Sequence, residues 1–121
     1  MKAIKYIQEP IIDNDTIVIA SKVYSARGFF KRLFGLLVFK PLKESEGLLI
    51  KDCRSIHTMW MRYSIDAVFI DKRGKVTAVY EDLAPFRFSQ YIKKACSVLE
   101  LKAGSAGRAS IRIGDIISFV E

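Results

Sequence analysis

The residues of this chain that could do chemistry are concentrated between Cys53 and Gly74, C-R-S-I-H-T-M-W-M-R-Y-S-I-D-A-V-F-I-D-K-R-G. That stretch holds the only His (His57), the only Trp (Trp60), Met59 and Met61 of the three Met, and Cys53 of the two Cys. A carboxylate within hydrogen-bond reach of an imidazole can do general acid–base work. His57 and Asp66, flanked by Arg62, are therefore the candidate catalytic residues. The spacing does not make them meet, and Asp66 interrupts an apolar run, where a buried acid needs partners. An Asp tied to backbone N–H groups or to Arg62 is the preferred reading of the same residues. Cys53 and His57 as nucleophile and base would need a helix for their i, i+4 spacing and a third orienting group, and neither is evident.

Two binding readings use the same stretch. On a strand, Cys53, His57, Met59 and Met61 would share a face, and imidazole with thioethers suits Cu(I). The plainer reading is that the two Met fill core space, so no bound metal and no cofactor is expected. Alternatively Trp60, Tyr63 and Phe86 or Phe88 could gather with Arg62 and Arg87 into a groove for a sugar, a peptide or another ligand. The ligand-binding candidates are therefore His57, Met59, Trp60, Met61, Arg62, Asp66, Pro85 and Arg87. There is no glycine-rich phosphate loop, zinc-type Cys/His array or serine nucleophile elbow, and no nucleic-acid motif.

The elements that must position these side chains read as mainly β. Residues 2–8 and 16–24 are rich in Ile, Val and Tyr, with a turn at Asp13, Asn14 and Asp15 between them. From Ala26 to Leu42 the pattern is helical, expected over about 26–40. Arg27, Lys31 and Arg32 lie on one face, Phe29, Phe30, Leu33, Phe34 and Leu37 fill the other, and Pro41 ends it. Leu48 to Ile50 reads as a short strand, Ile56 to Arg62 as another, and Ile65 to Ile70 as a mostly buried one. Asp71-Lys72-Arg73-Gly74 is a turn signal that returns the chain antiparallel over 75–80, with Val76 and Ala78 on one face and Thr77 and Val79 on the other. Leu83 to Phe88 reads as loop or edge because of Pro85. A strand at 97–101, a small-residue turn at 103–107 and two short strands around Gly114-Asp115 follow. Short strands at this density predict one domain over 1–121, an antiparallel β sandwich or barrel with one longer helix and short helical turns.

Half of the 121 residues are apolar and 27% are charged, a balance that supports a buried core and argues against disorder. The opening M-K-A-I-K-Y-I-Q-E-P has no apolar run of signal-peptide length, and no stretch approaches the ~20 apolar residues of a membrane span. A soluble, cytoplasmic protein with two reduced cysteines, Cys53 and Cys96, is the expectation. The net charge of +7 is uneven: from Thr16 to Lys43 there are six cations and no acid. That segment predicts a weak, salt-screened electrostatic contact with anionic surfaces through Arg27, Lys31 and Arg32.

The ordered set G-L-L-V-F-K-P-L, I-H-T-M-W-M-R-Y-S-I-D-A-V-F-I-D-K-R-G-K-V, V-L-E-L-K-A-G-S-A and I-R-I-G-D-I-I-S-F resembles the small prokaryotic family catalogued as domain of unknown function one hundred and ninety-two. The resemblance runs from about Arg27 to Phe119. It implies a mainly-β, sandwich-like fold with small helices and no established activity. It also implies relatives that are exported or lipid-anchored, or encoded near pilus-assembly functions. Leu37 stands where many relatives carry Met. The combined expectation is a binding accessory module, linked to cell-envelope or pilus assembly, for a small molecule or a protein. The alternatives are a small enzyme using His57 and Asp66, and a copper-binding protein.

Overall fold

A computed structural model describes residues 2–4, 6–12, 15–27, 42–58 and 61–120. Its strands are β1 (Lys2–Ile4), β2 (Tyr6–Ile12), β3 (Asp15–Ala20), β4 (Lys22–Arg27), β5 (Glu46–Lys51), β6 (Ile65–Ile70), β7 (Val76–Leu83), β8 (Ser97–Lys102) and β9 (Ser118–Val120). One helical turn, α1 (Ser105–Arg108), lies between β8 and β9. Six strands form a mixed sheet in the order β1-β4-β5-β8-β6-β7, and β3-β2-β9 form a second sheet. Both are open at their edges, so the barrel alternative is set aside. The pair β4–β5 is parallel and every other named pair is antiparallel. Parallel neighbours need a crossover of a dozen or more residues, and the β4–β5 connection has that length.

The central strands of the large sheet are buried on both faces. All six residues of β6 are buried, as the unbroken apolar run predicts. One face carries Val23, Leu49, Val68, Ile70, Leu99 and Leu101, packed with Ile19 and Ala20 of β3 and with Ala106, Ile111 and Ile117. The other carries Leu48, Ile50, Ala67, Phe69 and Val98, covered by Leu42, Ile56, Met61 and Ala95. The turn after β6 forms as expected. Asp71 Oδ1 accepts from the N–H groups of Arg73 (2.8 Å) and Lys75 (3.0 Å), and Gly74 takes φ 85°. A Cβ at Gly74 would stand 2.4 Å from the Ile117 carbonyl oxygen, so the turn is built against the approach to β9.

Three expectations are corrected. The 26–42 helix begins inside a strand: Ala26 and Arg27 belong to β4, paired with Ile50 and Lys51. The rest of that pattern, with Lys31 and Arg32, lies outside the described residues, as do Met59 and Trp60. The described residues of 56–62, namely 56–58, 61 and 62, are not a strand; they are loop with a single bridge, His57 to Phe88. Val76 and Ala78 do not share a face. The register steps from Phe69↔Ala78 to Ile70↔Val76, leaving Thr77 as the extra residue of a bulge. Val76 therefore packs with Val79 on one face, while Ala78 and Tyr80 serve the other.

Candidate functional site

Two loops cover one face of the large sheet, one after β5, described over 52–58 and 61–63, and 84–92 after β7. Thr58 ties them together. Its side chain is fully buried; its hydroxyl donates to the Ala84 carbonyl (2.6 Å) and accepts from the Arg87 N–H (2.9 Å). Its own N–H donates to the Arg87 carbonyl (2.8 Å), and its carbonyl accepts from Phe86 N–H (2.9 Å). Outer rungs complete the seam: Ser89 N–H to the Ile56 carbonyl, Ile56 N–H to Ser89 Oγ, and Ile92 N–H to the Arg54 carbonyl. Polar groups that cannot reach water are satisfied across the seam, which holds two irregular segments in one conformation.

The seam divides the side chains. Ile56 and Met61 turn inward and are buried, with Cys53 and Tyr63 packed beside them. Arg54, His57, Arg62 and Arg87 are exposed, and Pro85 is half-buried. Phe86, Phe88 and Tyr91 of the second loop are exposed as well, at 51%, 71% and 67%. The His57 and Phe88 rings stack at a tilt, 6.0 Å between centroids. Phe86 takes φ 61°, a left-handed conformation unfavourable for a bulky residue. His57 and Met61 thus point to opposite sides of the layer, which removes the single-faced ligand row expected for copper. No group of three His, Cys, Asp or Glu side chains suited to a metal ion occurs among the described residues.

Asp66 belongs elsewhere. On β6 it alternates with Val68 and Ile70, so it points to the sheet face opposite the two loops. It is fully buried. Oδ1 accepts from Asp82 N–H (2.8 Å), and Oδ2 accepts from Gly104 N–H (3.0 Å) and Ala106 N–H (2.8 Å). Asp66 therefore joins the bulged end of β7, where Asp82 has φ 54°, to the start of α1. His57 and Asp66 are separated by the sheet.

The residue that sequence reasoning missed is Glu100. It lies on β8 between Leu99 and Leu101, which face the β3 side, so its side chain points under the two loops. It is 3% exposed, and among the described residues its Oε1 has no hydrogen-bond partner. Burial pushes its carboxyl up to about 8. Tyr63 is pushed up to about 12, first by burial and then by the charge of Glu100. Cys53 is also raised, chiefly by burial, with Glu100 adding to it. A signal existed in V-L-E-L, an acid inside a run too apolar for a one-sided strand. The two cysteines, distant in sequence, meet at the backbone, where Cys53 N–H donates to the Cys96 carbonyl (3.0 Å). An open cleft of about 430 Å³ lies on the opposite sheet face, with Leu49, Ile70 and Ile117 in its walls and Lys51, Lys72 and Arg73 around it. None of the expected ligand-binding residues among those described lines it.

Fold and site define a small mainly-β domain whose central sheet is covered on one face by a hydrogen-bonded loop layer carrying aromatic and cationic side chains. The chain belongs to the DUF192 family, described as Uncharacterized ACR, whose pattern matches residues 11–119. It is similar in fold to a Sinorhizobium meliloti 1021 protein proposed to be a transcription regulator, with TM-score 0.76, 20% identity and 96% of each chain covered. It is also similar to a protein of unknown function from Novosphingobium aromaticivorans DSM 12444, with TM-score 0.79, 19% identity, and 96% of this chain and 85% of that one covered. Curated proteins gave no match. Among the described residues, no helix is long and apolar enough to cross a membrane.

Proposed function

We propose that this domain is a binding module and that the outer surface of its two tied loops receives an acidic segment of a partner protein. The observation that carries this reading is the exposure of Phe86, Phe88 and Tyr91 together on a backbone fixed by the Thr58 hydrogen bonds. Large aromatic side chains are costly to leave in water and are enriched at protein interfaces. Arg87, between Phe86 and Phe88 in the chain, and Arg54, whose carbonyl accepts from Ile92 N–H, carry guanidinium forks suited to carboxylates. A rigid backbone lowers the ordering cost of association. An accessory role in envelope or pilus assembly, implied by the family resemblance, is compatible with such a module.

The acid–base alternative is weaker, because the Asp66 carboxylate is occupied by three backbone donors on the other side of the sheet from His57. The test is an equilibrium binding screen against acidic peptides containing aromatic residues, with basic peptides and a single-stranded oligonucleotide alongside. Saturable binding of acidic peptides that falls at least tenfold in Phe88→Ser and in Arg87→Glu supports the reading. Binding of the oligonucleotide alone, or peptide binding unchanged in both variants, overturns it.

A further inference from the structure

The sheet register places Glu100 in the middle of a row that crosses five strands. Tyr24 lies opposite Leu48, Leu48 opposite Glu100, Glu100 opposite Ala67, and Ala67 opposite Tyr80. At about 4.8 Å between strands, a tyrosine stands two strands away on each side of the carboxyl. Between Glu100 and Tyr80 the only side chain in the row is the methyl group of Ala67. The Tyr80 hydroxyl accepts from Gln90 N–H (2.9 Å), which ties that end of the row to the loop above. Tyr63 and Cys53, both half-buried, enter the same layer.

The tyrosines and the cysteine packed in this cluster, Tyr24, Tyr63, Tyr80 and Cys53, are all weak acids. They can carry no positive charge, and among the described residues no hydrogen bond reaches Glu100 Oε1. Apolar walls, three phenol rings and one carboxyl oxygen without a described partner are complementary to a ligand that brings N–H donors and positive charge on an apolar body. Such a group would satisfy Oε1 by a charge-assisted hydrogen bond. The tyrosine faces would favour the same charge. An anionic ligand would repel the ionised form and a neutral alcohol would bring no counter-charge, so only a cation gains from ionising the carboxyl.

We infer that Glu100 anchors a binding site for a small organic cation, an alkylamine or alkylguanidine, in the layer between the sheet and Cys53, Ile56, Met61 and Tyr63. This site is separate from the outer surface of the loops and does not depend on the partner reading above. The probes are butylamine and butylguanidine, with butanol and butyrate as neutral and anionic controls, titrated calorimetrically into the full chain at pH 7. The expected result is saturable binding of a cationic probe at least tenfold tighter than butanol. Because the carboxyl must ionise to pair with the cation, binding should release up to about one proton, read from the dependence on buffer ionisation enthalpy. Glu100→Gln should weaken the cation at least tenfold and abolish the proton release. Equal affinity for butylamine and butanol, or unchanged cation affinity in Glu100→Gln, overturns the proposal. If that variant does not fold, carbon-13 NMR of glutamate-labelled wild-type protein decides. The Glu100 carboxyl resonance should move to its ionised position at saturating amine, and a resonance that stays in place overturns the proposal.

Discussion

At the scale of single residues, two buried acids on opposite faces of one sheet behave oppositely because their surroundings differ. Asp66 is surrounded by backbone donors, and removing it leaves three N–H groups without their acceptor, that of Ala106 fully buried. Asp66→Ala should therefore lower unfolding free energy by about 2 to 4 kcal/mol, read by urea denaturation, since each unsatisfied buried donor is costly. Glu100 lacks such donors, and its folded carboxyl is raised from the ordinary 4.5 to about 8. Between those pH values the unfolded chain has released a proton that the folded chain retains. Stability contributed by this residue is thus complete below about pH 4.5 and is lost as pH rises through 8. The loss should reach on the order of 3 kcal/mol by pH 7. Glu100→Gln cannot ionise. Melting temperatures of the two proteins should lie close together near pH 4.5 and diverge toward pH 8, with the variant more stable. Parallel curves across that range would show that Glu100 is ionised in the folded protein.

At the scale of elements, the Thr58 seam and the Gly74 turn do the positioning. Thr58→Val keeps the shape and deletes the hydroxyl that serves Ala84 and Arg87. It should cost about 1 to 3 kcal/mol and speed amide exchange at Phe86 and Arg87 more than in β6. Uniform acceleration through the whole chain would mean that the seam is not a separate unit. Gly74→Ala puts a methyl group against the Ile117 carbonyl at a positive φ and should destabilise by about 1 to 3 kcal/mol in chemical denaturation. The Asp71–Gly74 turn was legible because its residue types are dictated locally, by Asp71 accepting backbone N–H groups and Gly74 taking positive φ. The Thr58 seam was not. Its partners are 26 and 29 residues away, and local β propensity made 56–62 look like a strand. The bulge at Thr77 was hidden for a related reason: one extra residue reverses the alternation without changing the composition.

At the scale of the whole molecule, β6 and β8 belong to both halves of the core, so the halves should not unfold separately. Val98 and Leu99 are adjacent on β8 and face opposite layers. Val98→Ala and Leu99→Ala should each cost about 2 to 4 kcal/mol, with far-UV circular dichroism and tryptophan fluorescence still following one transition. Two resolved transitions in either variant would show that the layers are independent.

The sequence by itself determined the mainly-β class, the buried strand 65–70, the turn that follows it and the family. Each depends on short-range pattern, on residue types required at fixed positions, or on an ordered set of motifs. Only the tertiary structure decided that His57 and Asp66 lie on opposite sides of a sheet. It also decided that the aromatics of 86–91 stand beside His57, and that Glu100 is buried among tyrosines without a described donor for Oε1. Those facts depend on which strand pairs with which and on the parity that register and bulges impose. Non-local pairing is chosen by the burial of the whole chain, and no local stretch of it carries that information.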